Sequence, residues 1–335
     1  MAKWKVVITD RQFAEINIEK EILSRVDAEV FDYQVKDEKD VIAIVGDCDA
    51  VITEYADLTR KAIESMSKCQ IISIYAVGVD GIDLRAATDQ GICVGHVLDY
   101  CVDEVSTHAV ALTLNLTRKI TLLNNTVREG HWDFKLAGRI LNLRGLTFGL
   151  NGYGTIARAV AEKMKPFGVE IIACDPFVSP EDAEKSGVKL VDFKSLLEKS
   201  DIISSHVPDL PTTKKLFNEE AFRMMKKSAF LINTGRGPVV DEAGLIRALE
   251  TGEIAGAAMD VTDPEPIAAD SPLLSMKNVI ITPHSGYNSE DSQKRLQALT
   301  AENVAQRLMG YCPRYFANRE LKDKLGLMDL PEGGI

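Results

Sequence analysis

The sequence predicts an α/β fold of two βα domains, a doubly wound parallel sheet inserted in a smaller flavodoxin-like unit. Three observations carry this. The chain has 335 residues, more than one ordinary core accommodates and enough for two domains of typical size. Two separate series of short β-rich runs alternate with segments of helical length and period, the rhythm of parallel sheets. In the second series a strand runs directly through a glycine turn into a helical pattern.

The elements follow in order. The opening residues, Met1 to Asp10, read as a first strand over Val6–Thr9, followed by strands at Ala50–Thr53, Ile71–Tyr75 and Ile92–Val94. From Asp103 to about Arg128, Val105, His108, Ala109, Leu112, Leu116, Ile120 and Leu123 recur at three- and four-residue steps, predicting one long amphipathic helix crossing between domains. Residues 130–143, irregular yet carrying Trp132 and Phe134, suit an arm that contacts a second copy of the chain. The second series places strands at Leu146–Asn151, Glu170–Cys174, Ile202–His206, Ala229–Asn233, Ala255–Met259 and Val279–Thr282, six in all, as a full doubly wound domain needs. A helix from Glu290 to about Gly310 leads out of it, and the end of the chain, through Ile335, is expected to fray. The first domain is therefore expected to be discontinuous, residues 1–101 with 289–335, around an inserted domain at 102–288.

Composition narrows the function classes. With 45% hydrophobic and 27% charged residues the chain is globular. Its 39 Lys+Arg against 50 Asp+Glu give a net charge of −11, which argues against nucleic-acid or anionic-membrane partners and leaves an anionic substrate needing a local cation. The three-residue apolar run near the N-terminus is too short for a signal peptide, and no stretch approaches the ~18 apolar residues of a membrane helix. Six scattered cysteines without a C-x-x-C pair read as free thiols in a reducing cytoplasm, not as a disulfide framework or metal site.

The chemistry lies in five segments. Gly152-Tyr153-Gly154 sits between strand and helix: Gly152 permits the tight turn, Gly154 lets amides approach a pyrophosphate, and the small Ala157 allows close helix–strand packing. Alone such a turn also ends strands for structural reasons. Asp175 ends the next strand, eighteen residues past Ala157, where a carboxylate accepts the adenosine ribose hydroxyls and repels a 2′-phosphate, selecting NAD over NADP. Three further strand ends open on the same crevice: Arg236 between Gly235 and Gly237, Glu265 between Pro264 and Pro266, and His284 after Pro283. Arginine clamps a carboxylate bidentately, while a histidine paired with a carboxylate exchanges the proton a reduced ketone oxygen requires. His206 also ends a strand, and spacing leaves both histidines open as the general acid. His96, His108 and His131 are assigned structural roles.

These motifs resemble the D-isomer-specific 2-hydroxyacid dehydrogenases over nearly the whole chain. The likeness rests on Leu143-Arg144-Gly145, Cys174-Asp175-Pro176, His206-Val207-Pro208, Asn233-Thr234-Gly235-Arg236-Gly237, Asp260 with Glu265-Pro266, and Thr282-Pro283-His284. It implies Rossmann-like domains, a homodimer, and Arg236, Glu265 and His284 as the catalytic set, which decides against His206. It further implies cofactor contacts at Gly152, Gly154, Thr155, Ile156, Asp175, His206, Val207, Pro208, Thr213, Thr234, Gly235, Arg236, Asp260, His284 and Gly286. Substrate contacts fall by the same matching on Val77 and Gly78, whose amides lie in the carboxylate-binding turn, and on Arg236, His284 and Tyr287. Within the family, Asp99–Val105 and Pro283–Glu290 look most like the branch containing the C-terminal-binding-protein corepressors, which gives an NADH-sensing binding protein as the alternative to an enzyme. Three residues depart from the family pattern: Asn151 for an aliphatic, Thr155 where many members carry arginine, and Ala157 for the third glycine.

Overall fold

The computed structural model describes residues 3–331. The expected frayed end, at 332–335, lies outside them. The chain divides into two compact units, Met1–Cys101 with Ser289–Ile335 and Val102–Asn288.

The first unit carries five parallel strands, β1 (Trp4–Ile8), β2 (Ala28–Asp32), β3 (Ala50–Thr53), β4 (Ile71–Ile74) and β5 (Cys93–Gly95), in the order β2-β1-β3-β4-β5. Its central strands are apolar on both faces because helices cover both: Val6, Val7 and Ile8, like Ile71 and Ile72, are fully buried. β2 was not anticipated. Its sequence, Ala-Glu-Val-Phe-Asp, holds only two large apolar residues, and it forms the sheet edge, where no continuous apolar run is required. Helix Glu290–Leu308 begins in a capping box, with Ser289 and Ser292 side chains each bonded to the other's backbone. Its Gln297 amide donates at 3.1 Å to both oxygens of the buried Glu19, which also accepts from the Tyr75 hydroxyl at 2.6 Å. A buried carboxylate is tolerable only when satisfied in this way.

The second unit is a seven-stranded parallel sheet: β6 (Thr147–Asn151), β7 (Glu170–Cys174), β8 (Lys189–Leu190), β9 (Ile202–Ser205), β10 (Phe230–Asn233), β11 (Gly256–Met259) and β12 (Val279–Ile281), ordered β12-β11-β10-β9-β6-β7-β8. The six expected strands are present with ends shifted by a residue or two, joined by β8, whose two residues offer no periodicity to read. The order reverses between β6 and β9, the topological switch point where open α/β sheets bind ligands. Phe148, Leu150, Ile202 and Ile232 form the core on one face, Ile203, Leu231, Leu245 and Phe222 on the other.

The single long helix is corrected to two, Val102–Arg118 and Ile120–Arg128. Lys119 between them has φ 57°, a left-handed conformation that cannot continue a helix, and Asn115 caps the second piece by accepting from the Thr121 amide at 2.9 Å. The break turns Ile120, expected on the buried stripe, out to 56% exposure. Residues 130–143 contain one short 3-10 turn, Phe134–Ala137, and leave Trp132 90% and Phe134 78% exposed.

Candidate active site

The glycine turn lies at the switch point. Gly152 has φ 84°, and a Cβ there would sit 2.9 Å from a Val207 methyl carbon and 3.4 Å from the His206 carbonyl carbon, so only glycine lets the loops after β6 and β9 pass this closely. Gly154 is the N-cap of helix Thr155–Met164, and no side chain caps that helix. A Cβ on Gly154 would meet nothing within 4 Å, so the space beside this uncapped helix start is open, as a pyrophosphate site requires. Ile156 packs against the core and Ala157 is buried beneath the turn. Asp175, at the end of β7, accepts from the Tyr153 amide at 2.7 Å and the Phe177 amide at 2.8 Å, one per carboxylate oxygen. Each oxygen keeps lone-pair capacity for a ribose hydroxyl. These features fit a bound dinucleotide.

His206 bridges Ser204 Oγ (Nε2, 2.9 Å) and Thr234 Oγ1 (Nδ1, 3.3 Å), and burial lowers its pKa to about 4, so it is neutral at physiological pH. Val207 and Pro208 continue its loop. Thr213 spends its hydroxyl within the same segment, donating to the Pro208 carbonyl and accepting from the Leu210 amide.

After β10, Asn233 organises the arginine loop: its side-chain oxygen accepts from the Gly235 amide at 3.1 Å and its amide donates to the Arg236 carbonyl at 2.9 Å. After β11, the Thr262 amide donates to Glu265 at 3.1 Å. After β12, His284 Nδ1 lies 2.9 Å from the other Glu265 oxygen. Burial pushes the Glu265 carboxyl up, but the His284 bond and charge, the Thr262 amide and the Arg236 charge together leave it below its ordinary value. An ionised Glu265 only accepts, so His284 Nδ1 carries a proton and Nε2 is left to exchange one. The His284 backbone has φ 49°, a strained conformation held by its amide donating to the Asp260 carbonyl at 2.7 Å. Tyr287 stands edge-on to the His284 ring, centroids 6.1 Å apart.

Asp260 is buried, and burial alone would raise its pKa. Hydrogen bonds from His108, Thr282 and the Ser285 and Gly286 amides outweigh burial and hold it at about 2. His108, given a structural role from the sequence, faces this strand end: its Nε2 lies 3.0 Å from Thr282 Oγ1 and 3.3 Å from Asp260. Nothing in the spacing of a helical stripe separates a histidine that faces a strand end from one that fills a core. In the first unit, His96 Nδ1 is 2.9 Å from the Val77 carbonyl, anchoring the turn that contains Val77 and Gly78.

Residues 110–286 match the family model described as D-isomer specific 2-hydroxyacid dehydrogenase, NAD binding domain. The chain belongs to this family. The dehydrogenase is 37% identical to a glyoxylate reductase of Korarchaeum cryptofilum over 84% of this chain and 86% of that one. It is 38% identical to a D-3-phosphoglycerate dehydrogenase of Archaeoglobus fulgidus over 80% of this chain but only 51% of that longer protein. Among solved structures, the D-lactate dehydrogenase of Aquifex aeolicus, complexed with NAD and lactic acid, superposes with TM-score 0.82 at 29% identity, covering 91% of this chain and 96% of that one. The protein is an NAD-dependent oxidoreductase acting on 2-hydroxy acids and their 2-oxo counterparts. The likeness to the corepressor branch is not borne out: the relatives above are reductases and dehydrogenases.

Proposed function

We propose that this dehydrogenase reduces a small 2-oxo acid of the glyoxylate, pyruvate or hydroxypyruvate size class, with Arg236, Glu265 and His284 as its catalytic residues. The observation that carries the reading is the His284–Glu265 hydrogen bond on the strand-end loops of the sheet that also presents Arg236. Arg236 clamps the substrate carboxylate bidentately, assisted by the backbone amides of Val77 and Gly78. When bound there, NADH would supply the hydride that the substrate's carbonyl carbon takes up. His284 gives its Nε2 proton to the substrate oxygen, and Glu265 keeps Nδ1 protonated and the ring oriented through that transfer. Cofactor contacts are assigned to Gly152, Gly154, Thr155, Ile156 and Asp175, to His206, Val207, Pro208 and Thr213, and to Thr234, Gly235, Asp260 and Gly286. Asp260 would meet the nicotinamide carboxamide. Tyr287, beside the His284 ring, walls the substrate.

In this reading the unit Val102–Asn288 holds the cofactor and the other unit the substrate. The working form is a homodimer joined through the arm at 130–143, which displays Trp132 and Phe134. Its six cysteines, none in a disulfide among the described residues, suit a cytoplasmic enzyme. The test is a steady-state screen of NADH oxidation with glyoxylate, pyruvate, hydroxypyruvate and larger 2-oxo acids. Turnover concentrated in the two- and three-carbon acids is expected; turnover of larger acids alone would refute the size class.

A further inference from the structure

Most groups around the Asp260 carboxylate come from the loop after the next strand. Thr282 and the Ser285 and Gly286 amides all belong to the loop leaving β12, the strand paired with β11. His108 is different: it arrives from helix Val102–Arg118, more than 150 positions earlier in the chain.

The proton arrangement is determined by elimination. Asp260 is ionised and only accepts, and the Thr282 hydroxyl proton goes to Asp260 Oδ1. The Thr282 oxygen can then only accept from His108, so the His108 proton nearest them is on Nε2 and is shared between Thr282 at 3.0 Å and Asp260 at 3.3 Å. The packing is tight as well. A Cβ on Gly286 would lie 2.9 Å from Asp260 Oδ2 and 3.3 Å from His108 Cδ2, so imidazole, carboxylate and loop backbone are wedged together with no slack. The same loop carries His284, whose amide is fixed by the Asp260 carbonyl. The imidazole thus braces both the carboxylate assigned to the nicotinamide and the backbone that aims the proton donor.

We propose that His108 is a positioning residue for the reaction: its Nε2–H locks the Asp260 carboxylate and the Thr282 hydroxyl in the orientation that receives the nicotinamide carboxamide and holds His284 in line. The inference rests on the functional reading above, with Asp260 at the nicotinamide. It predicts a defect confined to the nicotinamide end of the cofactor and to the chemical step, leaving the adenosine end untouched.

The experiment compares His108→Leu, which removes the donor while keeping an apolar helix former, with His108→Gln, whose amide restores a donor near the Nε2 position. In each full-length variant, binding of NADH and of ADP-ribose, which lacks nicotinamide, is measured by titration alongside kcat and KM for the best 2-oxo acid. Expected for His108→Leu are NADH binding weakened about tenfold, kcat reduced about tenfold or more, and ADP-ribose binding within twofold of wild type, which also certifies the fold. His108→Gln should recover most of both losses. Thr282→Val, removing the bridging hydroxyl, should show the same selective pattern. Unchanged NADH binding and kcat in His108→Leu would overturn the proposal, as would equal losses for NADH and ADP-ribose or no recovery with glutamine, each of which marks a packing role. A wild-type protein that fails to bind NADH would overturn both this inference and the reading beneath it. A wild type that binds and turns over, with an unaffected His108→Leu, overturns this inference alone.

Discussion

Gly237 follows Arg236, and replacing it with alanine pushes apart the loops that carry Arg236 and Glu265. A Cβ at this position would lie 1.9 Å from the Thr262 carbonyl oxygen, 2.2 Å from its carbon and 2.9 Å from the Asp263 nitrogen. All three are backbone atoms, so no rotamer change relieves the clash. An ordinary contact begins near 3.4 Å, and 3.4 − 1.9 leaves about 1.5 Å of backbone displacement to find. Thr262 moves with Glu265, because its amide donates to that carboxylate at 3.1 Å and its hydroxyl to the Pro264 carbonyl at 2.8 Å. Overpacking of this kind costs about 1–3 kcal/mol, which for a domain of this size lowers Tm by roughly 3–10 °C. A shift of about 1 Å between Arg236 and Glu265 costs about 10²-fold in kcat. Thermal melting and steady-state turnover of Gly237→Ala measure both effects. Wild-type Tm together with wild-type kcat would refute the close approach of these loops.

Gly154→Ala offers the contrasting case: with nothing within 4 Å of the added Cβ, Tm should stay within about 2 °C, while NADH affinity measured by fluorescence titration should fall about tenfold or more as the methyl intrudes on the phosphate path. His206 gives a pH dependence whose sign is fixed by its lowered pKa. Neutral when folded down to about pH 4 but protonated near 6.5 when unfolded, it leaves stability complete above pH 6.5 and drains it as pH falls toward 4, by up to about 3 kcal/mol. Urea melts of His206→Asn should lack that part of the acid slope, and an identical slope in both proteins would contradict the burial effect. If the proposed homodimer is joined through Trp132 and Phe134, replacing both by serine should yield a monomer in sedimentation at micromolar concentration, still folded because both side chains are exposed in the single chain.

Much of this architecture was legible in the sequence because strands buried on both faces write themselves as apolar runs. β1, β3 to β7 and β9 to β12 all lie within a residue or two of the runs that mark them. Two of the four edge strands were not so marked: β2 and β8 need little burial and so leave little pattern. The helix break at Lys119 was hidden because a left-handed lysine has no compositional signature, and the apolar stripe continues past it through Leu123. At the site, Gly152, Asp175, Arg236, Glu265 and His284 stood out because each follows a strand on a loop with turn chemistry. His108 did not, since its position on a helical stripe is equally that of a core residue. Gly237 was visible as a letter, but its reason, the Thr262 carbonyl against it, depends on packing that no local pattern encodes.

In the proposed reaction His284, held by Glu265, delivers the proton while Arg236 clamps the acid. The most direct measurement is single-turnover oxidation of bound NADH by the best 2-oxo acid, in the wild type and in His284→Gln. NADH binding within a few-fold of wild type is expected, with a rate of NADH oxidation reduced by about 10²–10⁴-fold, the range that removal of a general acid produces. A His284→Gln variant that oxidises bound NADH at the wild-type rate would contradict this role for His284.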